Sequence, residues 1–314
     1  MMAVSGATMQ SAAEAWKARI EAHGEQSLRA RGDQPEPADF WSTLAAGFRA
    51  DPRRRDDPVV NLLAEWITPE TTVLDVGGDA GRYALPLALR CRRVTVVEPS
   101  PSMVAQLREG AKEAEIENIS TVEAGWEDAR VDPADLVLCA NVVYGVKDIA
   151  PFLRKLDEKA RERVVIVAWM DAPPSIFSPL WRAVHGEDRV ELPALPELLP
   201  VLWEMGIFPN VEIVDAGRPR STPNLDVALA MARHLLFVRP GSKEDNRPEE
   251  AARGRWRLRR RKELRCEGTA RGRKGLCGGG RTGRRSQAEL YSRKQRAFRR
   301  SNYLLNVGVV SQTA

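Results

Sequence analysis

The residues best able to do chemistry lie together in one run, Leu74-Asp75-Val76-Gly77-Gly78-Asp79-Ala80-Gly81-Arg82. Glycines permit a tight strand-to-helix turn and let a ligand come close to the backbone. The free amides of the helix that follows, Tyr83–Leu89, favour an anionic group such as a carboxylate. A second acid, Glu98, closes another apolar run 23 residues after Asp75, in Val96-Val97-Glu98-Pro99-Ser100. An acid in that position can accept hydrogen bonds from both hydroxyls of a ribose. Asp75 and Glu98 can also simply cap the helices that follow them. Two such acids flanking one glycine-rich turn favour a nucleoside-containing cofactor over that simpler role.

Two cofactor classes fit this spacing. The dinucleotide fingerprint needs G-x-G-x-x-G; counted from Gly77, the required positions hold Asp79 and Arg82, so two of three glycines are missing. The run instead resembles the acid-x-Gly-x-Gly-x-Gly motif of class I S-adenosylmethionine-dependent methyltransferases. Asp75, Gly77 and Gly81 match it, and Asp79 stands where the motif has its middle glycine, beside Gly78. The resemblance extends over roughly residues 40–215. It implies that Asp75 and the Gly77, Gly78, Asp79, Gly81 turn hold the methionine part of S-adenosylmethionine. It implies likewise that Glu98 and Pro99 lie at the ribose, and that Gly125-Trp126-Glu127-Asp128 is the adenine-contacting loop. Asn141-Val142-Val143-Tyr144 resembles the segment beside the transferred methyl group.

Other polar residues have simpler roles. Arg82 reads as a solvated helix residue more readily than as a carboxylate clamp. His185 and Asp171 are candidate general bases, but a lone histidine on a loop is usually a surface residue. Cys139 sits inside an apolar strand and reads as a buried hydrophobe. A sulfonium methyl is already activated, so alignment and exclusion of water can suffice, and the lack of a catalytic dyad is compatible with an enzyme.

The elements that must position these residues are short strands alternating with helices. Thr72–Val76, Arg93–Glu98, Ile119–Glu123, Leu136–Ala140 and Arg163–Met170 are rich in Val, Ile and Leu, with helical patterns at Met103–Ala114 and Ile149–Ala160 between them. That alternation predicts a doubly wound α/β domain with a mostly parallel sheet, whose ligands bind at the carboxyl ends of the strands. Before it, residues 1–58 read as an N-terminal helical cap. Ser11–Glu14 has capping-box spacing for a helix ending at Gly24, Asp39 is placed to cap a second helix bearing Phe40, Leu44 and Phe48, and Asp57-Pro58 opens a third. Beyond it, Leu195–Met205 and Leu225–Leu236 read as helices, Val211–Asp215 as a sixth strand, and Tyr303–Val310 as a late strand. The expected organisation is cap 1–58, methyltransferase domain 59–246 and tail 247–314.

Charge divides the chain in the same way. Of 314 residues, 1–240 hold 27 Lys+Arg against 36 Asp+Glu, whereas 241–314 hold 21 against 7. The acidic body argues against a polyphosphate substrate and for a small-molecule methyl acceptor. The Arg- and Gly-rich stretch around 253–300 reads as disordered. It is a candidate nucleic-acid contact through the tail only, a solvated end without a partner, or the product of a shifted reading frame. Four scattered cysteines, three distant histidines and no apolar run of about eighteen residues predict no disulfide framework, no structural zinc, no membrane span and a cytoplasmic setting. The functional expectation is a methyltransferase acting by in-line displacement. A nicotinamide-dependent oxidoreductase and an RNA-associated protein are the alternatives.

Overall fold

Apolar residues run almost unbroken through the central strands because both faces of the sheet are covered. The computed structural model describes residues 10–35, 37–215, 225–239, 241–242, 245 and 306–313. Its strands are β1 (Thr72–Val76), β2 (Arg93–Val97), β3 (Ile119–Val122), β4 (Ala134–Ala140), β5 (Ala160–Trp169), β6 (Asn210–Asp215) and β7 (Asn306–Thr313). They form one sheet in the order β3-β2-β1-β4-β5-β7-β6. β1 to β5 are parallel, and β7 runs antiparallel to both of its neighbours. The late strand read at Tyr303–Val310 is thus present as β7, starting and ending three residues further along. The stretch 253–300 lies outside the described residues.

Eight helices are described: α1 (Ala12–Arg31), α2 (Pro58–Ala64), α3 (Ala84–Ala88), α4 (Pro101–Glu113), α5 (Ile149–Lys159), α6 (Ser178–His185), α7 (Leu195–Glu204) and α8 (Leu225–Leu235). Among the described residues no helix is long and apolar enough to cross a membrane. One core forms where Leu74, Val76, Val137, Cys139 and Ile166 meet residues of α5 and α7. A second forms where Val73, Val94, Val96 and Leu138 meet α2, α3 and α4.

The N-terminal segment departs from expectation in two places. Ser11 and Glu14 make the reciprocal capping box, but α1 runs through Gly24 to a glycine cap at Gly32. A glycine inside a helix costs about 1 kcal/mol against alanine, and tertiary contacts outweigh it. Trp16 is 1% exposed and donates its indole N–H to the Val146 carbonyl at 2.8 Å; further along, Gln26 donates to the Asp188 carbonyl at 2.8 Å. The second helix is absent. Residues 38–44 make turns leading into a short 3-10 segment, Ala45–Phe48, and Asp39 serves a different helix, as described below.

Candidate functional site

Strand register makes the loops meet. Val76 pairs with Val97 on one side and Cys139 on the other, and Ala140 pairs with Val167. The chain therefore leaves β1, β2, β4 and β5 along one edge, with Gly77, Glu98 and Asn141 at its rim.

The turn after β1 requires the residues it has. Gly77 (φ +70°) and Gly81 (φ +84°) are left-handed, and a Cβ on Gly77 would stand 2.3 Å from a Val142 methyl. Gly78 has an ordinary φ, but a Cβ there would meet a Val96 methyl at 2.5 Å and the Asp75 carboxylate at 3.0 Å. Asp79 takes φ +44°. Aspartate is among the few non-glycine types that tolerate this region, which explains how it can replace the motif's middle glycine.

Three carboxyl groups converge on that turn. Asp75 is 1% exposed, and neither of its oxygens has a hydrogen-bond partner among the described residues. Burial, reinforced by the charges of Asp79 and Glu98, raises its carboxyl well above the usual carboxylate range. Asp79 is partly buried and accepts the Arg82 backbone N–H at 3.2 Å. Desolvation pushes its carboxyl up to about 7; the Arg82 amide opposes this and the Glu98 charge adds to it. Glu98 is buried, accepting the Asp79 N–H at 3.0 Å and the Ser100 N–H at 2.9 Å. Burial raises its carboxyl despite those two bonds.

The helix cap borders this cluster. Ser100 caps α4, accepting the Met103 N–H at 3.2 Å, and donates its hydroxyl to Asp39 at 2.8 Å. Asp39 also accepts the Ser102 N–H at 3.0 Å, so it caps α4 instead of opening a helix of its own. On the far side, Asp57 caps α2 and binds both Arg54 and Arg82. Phe48 and Ala45 pack on Ala80 and Met103.

Residues 73–162 match a family described as "Methyltransferase domain". That stretch of the chain is similar to a methyltransferase domain. The sheet order, with one antiparallel strand among the described residues, is the doubly wound, mostly parallel α/β architecture expected from the sequence. An uncharacterized protein of Haemophilus influenzae is 26% identical over 156 residues, 49% of this chain and 57% of its own length. A 23S rRNA (uracil(1939)-C(5))-methyltransferase of Idiomarina loihiensis is 29% identical over 117 residues, 35% of this chain and 26% of its own. The chain thus spans between about a quarter and little more than half of these relatives. A solved S-adenosylmethionine-dependent methyltransferase from Geobacter sulfurreducens, in complex with S-adenosylhomocysteine, is 18% identical with a TM-score of 0.49. That match covers 88% of this chain and 97% of that one.

The expected site residues divide into two groups. Asp75, Gly77, Gly78, Asp79, Gly81 and Glu98 are brought together, with Pro99 next to Glu98 in the turn into α4. Trp126 is turned into the core: its indole donates to the Phe152 carbonyl at 3.3 Å, and Lys155 lies 4.6 Å over its ring. An adenine contact in this loop has to use its backbone and Glu127, which is exposed. Asn141 is left-handed (φ +62°) and donates its N–H to the Val167 carbonyl at 2.8 Å. The Tyr144 hydroxyl is used internally, accepting the Trp169 N–H at 2.6 Å and donating to Asn141 Oδ1 at 3.4 Å. Burial pushes the Tyr144 hydroxyl far above its ordinary range.

His185 packs on Trp181 with its Nε2 at 2.9 Å from the Leu236 carbonyl, and Asp171 is exposed. Sequence reasoning missed Asp39 as a cap of α4, and Arg54 altogether. The first is signalled only by three-dimensional proximity, and the second stands in an arginine run, Arg53–Arg55, that reads as solvated surface.

The acids fit S-adenosylmethionine on an observation independent of any motif. An unpaired buried carboxyl costs several kcal/mol unless it stays protonated or a ligand brings donors to it. A cationic amino-acid group supplies those donors and an opposite charge.

Proposed function

We propose that the chain is an S-adenosylmethionine-dependent methyltransferase acting on a small-molecule acceptor. The observation that carries this reading is Asp75, a fully buried acid with two unpartnered oxygens under a glycine turn. Asp75 and the backbone of Gly77, Gly78, Asp79 and Gly81 bind the methionine end. Glu98 keeps two lone pairs beyond those used by Asp79 and Ser100, and with Pro99 it receives the ribose. Glu127 and the backbone at Trp126 border the adenine. Asn141, held by Tyr144, stands beside the transferred group.

Bound S-adenosylmethionine supplies a methyl group activated by its sulfonium. The chain's own work is to orient the acceptor for in-line attack and to exclude water. The acidic balance of residues 1–240 supports a small acceptor over a polyphosphate. A cytoplasmic setting belongs to the same reading and is supported by the free buried thiols Cys91 and Cys139.

The test is calorimetric titration with S-adenosylhomocysteine and, separately, with NADH, followed by incubation with labelled S-adenosylmethionine and a metabolite extract. Binding of the first ligand and a labelled small product are expected; NADH binding without the first would overturn the reading. Because β7 lies at 306–313, the role of the basic stretch is tested by charge reversal within 253–300, not by truncation. Unchanged RNA affinity after reversal excludes that stretch as an RNA contact.

A further inference from the structure

The cofactor turn is bound at both ends to one N-terminal segment through a continuous series of hydrogen bonds. Arg54 lies at one end. Its guanidinium is 5% exposed, donates twice to Asp57 Oδ2 at 3.0 and 3.1 Å, and donates to the Arg82 carbonyl at 2.7 Å. The Arg82 side chain reaches the same Asp57 oxygen at 3.0 Å. Arg82 is thus gripped by its carbonyl and its side chain, while its N–H is bound to Asp79 at 3.2 Å. From Asp79 the series continues through its own N–H to Glu98, then by the Ser100 N–H to Glu98, and by the Ser100 hydroxyl to Asp39. Asp39 and Arg54 belong to the same stretch of chain, so residues 39–57 bracket the turn from both sides.

Burying a guanidinium is expensive unless its donors are satisfied. Arg54 spends three donor contacts on Asp57 and Arg82 at the first helix of the domain, beside a turn that must hold Asp79 left-handed. A capping role for Asp57 does not need it, since Asp57 Oδ1 alone takes the Val59 and Val60 amides at 3.1 and 3.2 Å.

We propose that Arg54 is a positioning residue for the cofactor site, bracing the Gly77–Arg82 turn in its ligand-ready conformation through the Arg82 carbonyl and Asp57. The inference rests on the cofactor reading above for its functional consequence, but not for its mechanical part. Residues 39–57 then act as a fixed wall of the site, and loosening the brace frees the amides of Asp79 and Arg82.

The experiment compares the full chain with Arg54→Lys, Arg54→Met and Arg49→Ala. Lysine keeps the charge near Asp57 but cannot span both partners. Arg49 pairs with Glu109 and Glu113 on α4 from the same segment without touching the turn, so its variant reports general loosening of the cap. Hydrogen exchange of ligand-free protein, in the peptide covering residues 77–83, is expected to rise at least tenfold in both Arg54 variants and to stay unchanged in Arg49→Ala, with exchange in β4 unaffected. Affinity for S-adenosylhomocysteine, measured on variants shown folded by circular dichroism, is expected to fall about tenfold with Arg54→Lys and further with Arg54→Met. Unchanged exchange in 77–83 in the Arg54 variants overturns the proposal, as does wild-type affinity in a variant whose turn has loosened. If the unaltered chain fails to bind S-adenosylhomocysteine, the functional reading falls, while exchange in the ligand-free protein still decides the brace.

Discussion

Cofactor binding should expel protons, and the acid cluster sets how many. The Asp79 carboxyl is pushed up to about 7 and Asp75 is raised well above its ordinary value. Near neutral pH the ligand-free site therefore holds at least part of one extra proton. The sign follows from linkage: a carboxyl raised on folding stabilises the ligand-free fold below its ordinary value near 3.8. That contribution is lost as pH rises through the folded value near 7. A cationic amino group favours the ionised acids, so binding opposes the trend and releases the proton. For one group at about 7, lowering the pH from 7.5 to 5.5 should weaken S-adenosylhomocysteine binding about 25-fold, or ~1.9 kcal/mol. A second proton leaving Asp75 would steepen the slope towards two logarithmic units per pH unit. Titration calorimetry in two buffers of different ionisation enthalpy counts the protons directly, and Asp79→Asn should remove one of them. Affinity that is flat between pH 5.5 and 7.5, with no proton released in either buffer, would refute the placement of a cationic group against these acids.

Further outcomes are expected elsewhere. Gly78→Ala puts a methyl 2.5 Å from Val96 and 3.0 Å from the Asp75 carboxylate. It should destabilise the fold by about 1–3 kcal/mol in a denaturant melt and weaken S-adenosylhomocysteine binding; wild-type stability would contradict the tight approach. Tyr144→Phe leaves the Trp169 amide without its partner. A loss of about 1–3 kcal/mol is expected, with turnover lowered more than cofactor affinity, as steady-state kinetics against calorimetry will tell. His23 is neutral, since Nδ1 must donate to the Val190 carbonyl while Nε2 accepts from Arg189. Burial, helped by Arg189 and opposed by the Val190 carbonyl, lowers it to about 4. The unfolded chain then binds the extra proton between about 4 and 6.5, so stability rises with pH across that window and is lost as pH falls through it. After discounting for partial exposure the loss is about 1–2 kcal/mol; melts of His23→Gln with the same acid slope as the parent would exclude His23 as the cause.

Much of the candidate site's geometry was legible because its signals are local. A glycine turn, an acid one residue before the end of β1 and another just past β2 sit in apolar runs whose type depends on a few neighbours. Asp79 in place of a glycine was legible too, once its left-handed φ is seen to be one that aspartate tolerates. The direction of the Trp126 ring was not legible, because a loop tryptophan's direction depends on what lies beneath it. Here that is Phe152 and Lys155 of α5, more than two dozen residues away. Gly24 was read as a stop because propensity alone makes it one, whereas α1 is held through it by loops far along the chain.

The amino-acid sequence by itself determined the alternation of strands and helices, the glycine turn with its two acids, and the division into an acidic body and a basic end. Each of these follows from residue type and short-range spacing. Tertiary structure alone decided that residues 306–313 enter the sheet between β5 and β6, that Asp39 caps α4, and that Arg54 grips the turn after β1. Those pairings join residues from 28 to over 100 positions apart. Their stability comes from desolvated hydrogen bonds and sheet register that exist only once the chain has packed.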